Sequence, residues 1–225
     1  MLATSSRICV VLALAALASS ASASPGVDPP APVLPPIFVA PFQESMDYYI
    51  HTFHTKGVLY FDATSSSERV DREDGVADRY CGTARPFSGT FCSHLIVDSK
   101  RYLLFPQKDH GLGADSGYDC CFCCSAEDGC GVLRRDFLSN ATFVGYETLN
   151  GTRAQHWREE GLQENDYWQT DDGKQRPLRL LQKPNDDMVF LGFSDAPIDP
   201  SVFELPKSCA EGRKCGGTCA LVRRG

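Results

Sequence analysis

Short runs of β-favouring hydrophobic residues, bounded by polar turn residues, recur along the chain, and no window sustains a long 3.6-residue period. Gly57 to Asp62 is a short β-rich run closed by Thr64-Ser65-Ser66-Ser67, and Glu68 to Arg72 returns beside it. Thr90 to Val97 and Arg101 to Phe105 flank Asp98-Ser99-Lys100, which predicts a hairpin. Thr142 to Leu149 and Thr152 to Trp157 flank Asn150-Gly151, the strongest short hairpin signal, because both central residues need positive φ. Asp166 to Thr170 and Leu178 to Leu181 flank Asp171-Asp172-Gly173, and Met188 to Phe193 is a last run. Only Gln43 to Phe53 places Met46, Tyr49, Ile50 and Phe53 at helical spacing. It reads as a short helix or, from Tyr48-Tyr49-Ile50, as a strand. The pattern predicts a mainly β protein: a curved antiparallel sheet of hairpins with one or two short helices and a disulfide-rich loop.

A sheet of this kind has one face on a core and the other on water or a cavity. Tyr60, Leu103, Phe143, Tyr146, Trp157, Trp168 and Phe190 recur in the strands. They read as core, or as the lining of a cavity for an apolar ligand.

Residues 1–23 read as a secretory signal peptide. Arg7 is the charged n-region, Ile8 to Ala18 an apolar run of 11 residues, and Ala21-Ser22-Ala23 the cleavage site. Residues 24–41 carry Pro25, Pro29, Pro30, Pro32, Pro35, Pro36 and Pro41, half of the 14 prolines, and read as an extended linker. The folded domain is expected over 42–219, with 220–225 as a tail. No later segment is long and apolar enough for a membrane helix. Sequons at Asn140 and Asn150 agree with the secretory route. The expected location is extracellular or in a secretory lumen.

With the leader removed, 11 − 1 = 10 cysteines remain: Cys81, Cys92, Cys120, Cys121, Cys123, Cys124, Cys130, Cys209, Cys215 and Cys219. An even number in an oxidising compartment predicts full pairing. In an extended Cys120–Cys124 segment, Cys121 and Cys123 point one way and Cys120 and Cys124 the other, making the segment a hub with several partners. The secretory route argues against a thiolate metal site, and no histidine stands at finger spacing. No metal or other cofactor is expected. The net charge of −7 excludes a nucleic-acid binder that works by neutralising phosphates.

No motif of a nucleophilic, zinc or phosphate-binding enzyme is present, so no catalytic residue is assigned. His51, His54 and His156 lack a zinc-site spacing. Glu68, Asp71, Glu73, Asp74 and Asp78 alternate with Arg69, Arg72 and Arg79. They offer oxygen ligands for Ca²⁺, without the spacing of an EF-hand, and the alternating signs read as a solvated, salt-bridged strand edge. Carboxylates brought together by the fold would not show in the sequence.

The Gly57–Asp62 run, followed by Glu68-Arg69-Val70-Asp71-Arg72, resembles the opening of ependymin-related secreted glycoproteins. Pro200-Ser201-Val202-Phe203-Glu204-Leu205-Pro206 to Cys209 resembles their closing segment. The Cys120–Gly131 block and Pro184-Asn185-Asp186-Asp187 are similar to a group of small secreted plant and algal proteins. The ependymin resemblance implies a half-barrel like that of the LolA lipoprotein carriers, enclosing an apolar cavity, often in a homodimer. Binding of an apolar or lipid-like ligand is the expectation it adds. The competing expectations are a cell-surface or matrix interaction module with a continuously packed sheet, and a secreted hydrolase or transferase with dispersed carboxylates.

Overall fold

In the computed structural model, residues 28–48, 50–86, 89–106, 118–160 and 164–224 are described; the expected signal peptide, 1–23, lies outside them. Eleven antiparallel strands form one open, curved sheet: β1 (Ile37–Tyr48), β2 (His51–Asp62), β3 (Ser67–Arg72), β4 (Cys92–Val97), β5 (Lys100–Pro106), β6 (Tyr118–Ser125), β7 (Thr142–Leu149), β8 (Thr152–Glu160), β9 (Glu164–Thr170), β10 (Pro177–Gln182) and β11 (Asp186–Phe190). Their spatial order is β6-β5-β4-β3-β2-β1-β11-β10-β9-β8-β7. Two short helices join them, α1 (Arg79–Ala84) and α2 (Thr218–Val222).

The hairpins follow from turn chemistry. Asn150 and Gly151 take φ of 49° and 79°, and Asp98 and Ser99 take 50° and 60°. These left-handed pairs match the twist of the flanking strands. The described strand residues of this segment, 43–48 and 51–53, belong to β1 and β2 and not to a helix: Met46 pairs with Phe53 across the β1–β2 hairpin. The aromatic and β-branched side chains there pack better on a pleated surface than on an isolated helical turn. β1 opens at Ile37, inside the proline-rich segment expected to be a linker. Phe38 and Ala40 are buried, so the domain starts earlier than the proline count suggested. Those prolines fall before the strand or, like Pro41, within it, where Pro41 still supplies its carbonyl to Leu191.

Register fixes the two faces. Phe38, Ala40, Phe42 and Glu44 on β1 face inward with Phe61, Leu59, Gly57 and Thr55 on β2. Gly57 is required here: a Cβ would stand 2.1 Å from the Asp71 carbonyl oxygen and 2.4 Å from the Phe42 ring. The same face carries Glu68, Val70 and Arg72 on β3, His94 on β4, Arg101 and Leu103 on β5, Tyr167 on β9, Leu180 and Gln182 on β10, and Asp186, Met188 and Phe190 on β11.

β6 and β7 are the two edges of the sheet yet are consecutive in sequence. Their connection, residues 126–141, therefore crosses the open side of the half-barrel. This strap buries Leu138 against Phe38, Trp157 and Tyr167, and the Leu34 amide donates to the Arg135 carbonyl at 2.8 Å. The C-terminal segment covers the β6 edge. Cys120–Cys209 ties it to the outer face, beside Leu95 and Leu104. Cys121–Cys215 and Cys123–Cys219 tie it to the inner one. Between them Phe122 donates to the Arg213 carbonyl and accepts from the Cys215 amide, so the edge is paired rather than open.

All ten expected cysteines are bridged, the remaining pairs being Cys81–Cys92 and Cys124–Cys130. The expected facing is corrected at one residue. A bulge between Arg101 and Tyr102 pairs Arg101 with Cys124 and Leu103 with Cys121, which turns Cys124 inward beside Cys121 and away from Cys120.

Candidate ligand cavity

A cavity of about 580 Å³ lies between the inner face of the sheet and the strap. This is within the range of small-molecule sites. One end is apolar, lined by Leu34, Phe38, Phe61, Phe137, Leu180 and Phe190. The other carries Glu68, Arg72, Asp78, Arg79, His94, Arg101 and Asp186.

The charged end is a built network. Arg72 Nε donates to Glu44 Oε2 at 2.5 Å and its Nη2 to Oε1 at 2.8 Å, and Arg72 Nη2 lies 3.6 Å from Asp78 Oδ2. Asp78 caps α1: its Oδ1 accepts from the Tyr80 and Cys81 amides at 3.0 and 2.7 Å. The same oxygen lies 2.9 Å from His94 Nε2. Burial opposes charge on Asp78, but His94, Arg72 and these amides hold its carboxyl well below the usual range. Burial opposes charge on Arg72 too, and Glu44 and Asp78 overcome it, so its pKa rises. Burial lowers the His94 pKa against the pull of Asp78, and Arg72 and Arg101 add to the lowering.

Asp186 differs. Burial pushes its carboxyl up, the nearby Glu44 adds to this, and the result is about 7 in spite of Arg72 and Arg79. Its Oδ2 is 3.8 Å from Arg79 Nη2, while the buried Oδ1 has no hydrogen-bond partner. Arg72 Nη1, Arg101 Nε and the Tyr167 hydroxyl are likewise buried on this face without a partner. Glu68 is anchored to the strap, where the Leu133 amide donates to its Oε2 at 3.1 Å, and burial raises its pKa.

Sequence reasoning placed Glu68, Arg72 and Asp78 on a solvated strand edge. The structure corrects this. β3 is interior between β2 and β4, Arg72 and Asp78 are buried, and the alternation divides the segment. Glu68 and Arg72 face the cavity, while Arg69 and Asp71 pair on the outside at 2.7 Å. The alternating signs are visible in the sequence; the burial of one charged face is not.

Of the seven cavity candidates, Phe190 lines the cavity. Leu103 packs inward under the disulfides. Trp157 is core beneath the strap, with Phe143 against its ring at 5.1 Å. Tyr60 pairs with Arg69 on the outer face. Trp168 is also outside, stacked on His156 at 4.3 Å, and Tyr146 is exposed near the β7 edge. Hydrophobicity alone does not reveal strand phase, and a one-residue step reverses the face. Asn140 and Asn150 are both exposed.

Among the described residues, Asp78, Cys81 and His94 are grouped closely enough to suggest a metal site. The Cys81 sulfur is bonded to Cys92, so it offers no thiolate. The outer face holds a second network, with His156 between Glu147 and Asp166 at 2.7 and 2.8 Å and Arg158 Nε donating to Asp166 at 2.9 Å. No helix among the described residues is long and apolar enough to cross a membrane.

No protein-family model and no curated protein matches the sequence. Solved structures that match include an uncharacterized conserved protein from Thermus thermophilus, with 12% identity, 77% of this chain and 87% of that one covered, and a TM-score of 0.44. The Pseudomonas aeruginosa MucA/MucB complex matches at 13% identity and a TM-score of 0.41, over 77% of this chain and 56% of the other. A LolA superfamily protein from Nitrosomonas europaea matches at 9% identity and a TM-score of 0.38, over 77% and 93%.

Proposed function

We propose that this chain is a secreted, disulfide-bonded, N-glycosylated binding protein that holds one apolar or lipid-like molecule between its curved sheet and its strap. The observation that carries the reading is the cavity of about 580 Å³, apolar at one end and set with buried, unpartnered polar atoms at the other. Such a division suits an amphiphile, with a chain against Leu180 and Phe190 and a polar head among the charges. A continuously packed sheet, as an interaction module would have, leaves no such space. The test is saturable uptake of a neutral naphthalene dye by the purified mature protein, together with mass spectrometry of its organic extract. One dye per chain and a co-extracted amphiphile are expected; no saturable uptake and an empty extract would overturn the reading.

A hydrolase draws support from Asp186, a carboxyl poised near neutrality in a cleft. Acid–base hydrolysis needs a second available group. Glu44 is engaged by both nitrogens of the Arg72 fork, Asp78 by two amides and His94, and Glu68 by the Leu133 amide of the strap. Turnover of nitrophenyl esters or glycosides, lost in Asp186→Asn, would reverse this order.

A further inference from the structure

The charges of the polar end do not balance. Glu44, Glu68, Asp78 and Asp186 face Arg72, Arg79 and Arg101, so 4 − 3 leaves one negative charge in excess. His94 is driven towards the neutral form by burial, and Arg134 at the strap is paired with its own Asp136. The excess falls on one residue. Glu44 takes two bonds from Arg72, Asp78 takes two amides and His94, and Glu68 takes the Leu133 amide with Arg101 and Arg72 nearby. Asp186 has Arg72 as an attracting neighbour and Arg79 at 3.8 Å, but Glu44 and Asp78 as repelling ones, and an oxygen with no donor.

A buried carboxylate in that setting needs a cation or a proton. We propose that the polar end receives a protonated amine at Asp186, so that the amphiphile held in the cavity carries a cationic head; this rests on the carrier reading and deepens it. The placement fits a head with a single chain. Met188 and Phe190 continue the inner face of β11 from Asp186, Leu180 pairs with Met188, and Gln182 stands opposite Asp186. An ammonium brings three donors to a site where Asp186 Oδ1 is unpaired. An acidic head would add a second uncompensated negative charge. Arg72 Nη1 and Arg101 Nε could meet it, but on guanidiniums whose charge already has carboxylate neighbours.

The same geometry makes binding depend on pH. Asp186 holds a proton below about 7, and an ammonium must displace it. The groups around it are Glu44 from β1, Arg72 from β3, Asp78 at the cap of α1 and Arg79 from its first turn. Asp78 is held charged by His94 and Arg72, and Arg72 by Glu44 and Asp78, so between pH 6 and 8 the change of charge falls on Asp186.

The deciding experiment is displacement of the neutral dye from the mature protein by dodecylammonium, dodecanoate and dodecanol. At pH 8 the ammonium should displace at a concentration at least about tenfold below the other two, and lose about tenfold of its affinity at pH 6. Asp186→Asn should remove the ammonium preference, so that dodecylammonium and dodecanol displace the dye at similar concentrations; if that variant does not fold, the pH profile of the unaltered protein decides. Equal or tighter displacement by dodecanoate or dodecanol at pH 8 overturns the cationic head while leaving the carrier reading intact. Failure of the dye to bind, together with an empty organic extract, overturns both.

Discussion

Arg72 shows how one residue links the fold to the cavity. Its guanidinium is buried and bridges Glu44 on β1 to Asp78 at the cap of α1, so it fixes a strand, a helix start and the polar wall together. Removing one member of a buried ion pair leaves a charge without compensation, at a typical cost of about 3–5 kcal/mol. Arg72→Met should therefore lower unfolding free energy in non-reducing urea by about that amount. Glu44→Gln combined with Arg72→Met should recover part of the loss, because one orphaned charge goes with its partner. Asp166 on the outer face makes a separate case. Burial opposes its charge, yet Arg158, His156 and Lys183 lower its pKa to about 2. A carboxyl depressed in the folded state contributes stability above its unfolded pKa, and that contribution is lost as the pH falls from about 4 towards 2. Acid titration of Asp166→Asn should show a shallower fall in stability across that window than the unaltered protein.

At the scale of elements, the hairpins were legible and the crossings were not. Asn150-Gly151 announced its turn, since few other residues accept φ of 49° and 79° in sequence. The strap from β6 to β7 carries no such signal, because its path depends on which strands become edges, a property of the whole sheet. The bulge opposite Cys123 was equally hidden, and it alone decides that Cys124 faces Cys130. The strap is held at Glu68 by the Leu133 amide. Glu68→Ala should speed dye exchange severalfold, read by stopped flow, with a smaller effect on affinity. The bridges Cys120–Cys209, Cys121–Cys215 and Cys123–Cys219 have sequence separations of 89, 94 and 96. Each closes a long loop alone, which in the chain-entropy argument stabilises by about 4–5 kcal/mol. With its neighbours intact, however, each adds only the short ring between adjacent bridges. Paired Cys→Ala removal of any one should cost about 2 kcal/mol, and removal of all three much more than one long bridge alone. Urea midpoints under non-reducing conditions give the comparison.

For the whole molecule, the consequential division is between two parts of the inner face. Beneath the β5–β6 end the disulfides and Leu103 fill the space, and beneath β7–β9 the strap fills it with Leu138 and Phe137 against Trp157 and Tyr167. Between them the floor from β3 through β2, β1 and β11 to β10 is left open under the strap. Folding could have closed this gap with larger side chains, so the cavity is a feature that substitution can remove. Leu180 is suited to this, being half-buried on the floor and paired with Met188 and Tyr167. Leu180→Trp should occupy the chain end of the cavity without disturbing Asp186, which lies further along the neighbouring strand. Added apolar burial in a pre-existing space stabilises, and overpacking costs about 1–3 kcal/mol. The expected result is a folded variant with stability within that range of the original and dye uptake weakened at least about tenfold. Ligand-dependent stabilisation should vanish with it: saturation at about a hundred times Kd is worth about 2.7 kcal/mol in the unaltered protein and should be absent in the variant. A folded Leu180→Trp that still bound dye with unchanged affinity would place the ligand outside this cavity and remove the physical basis for a carrier.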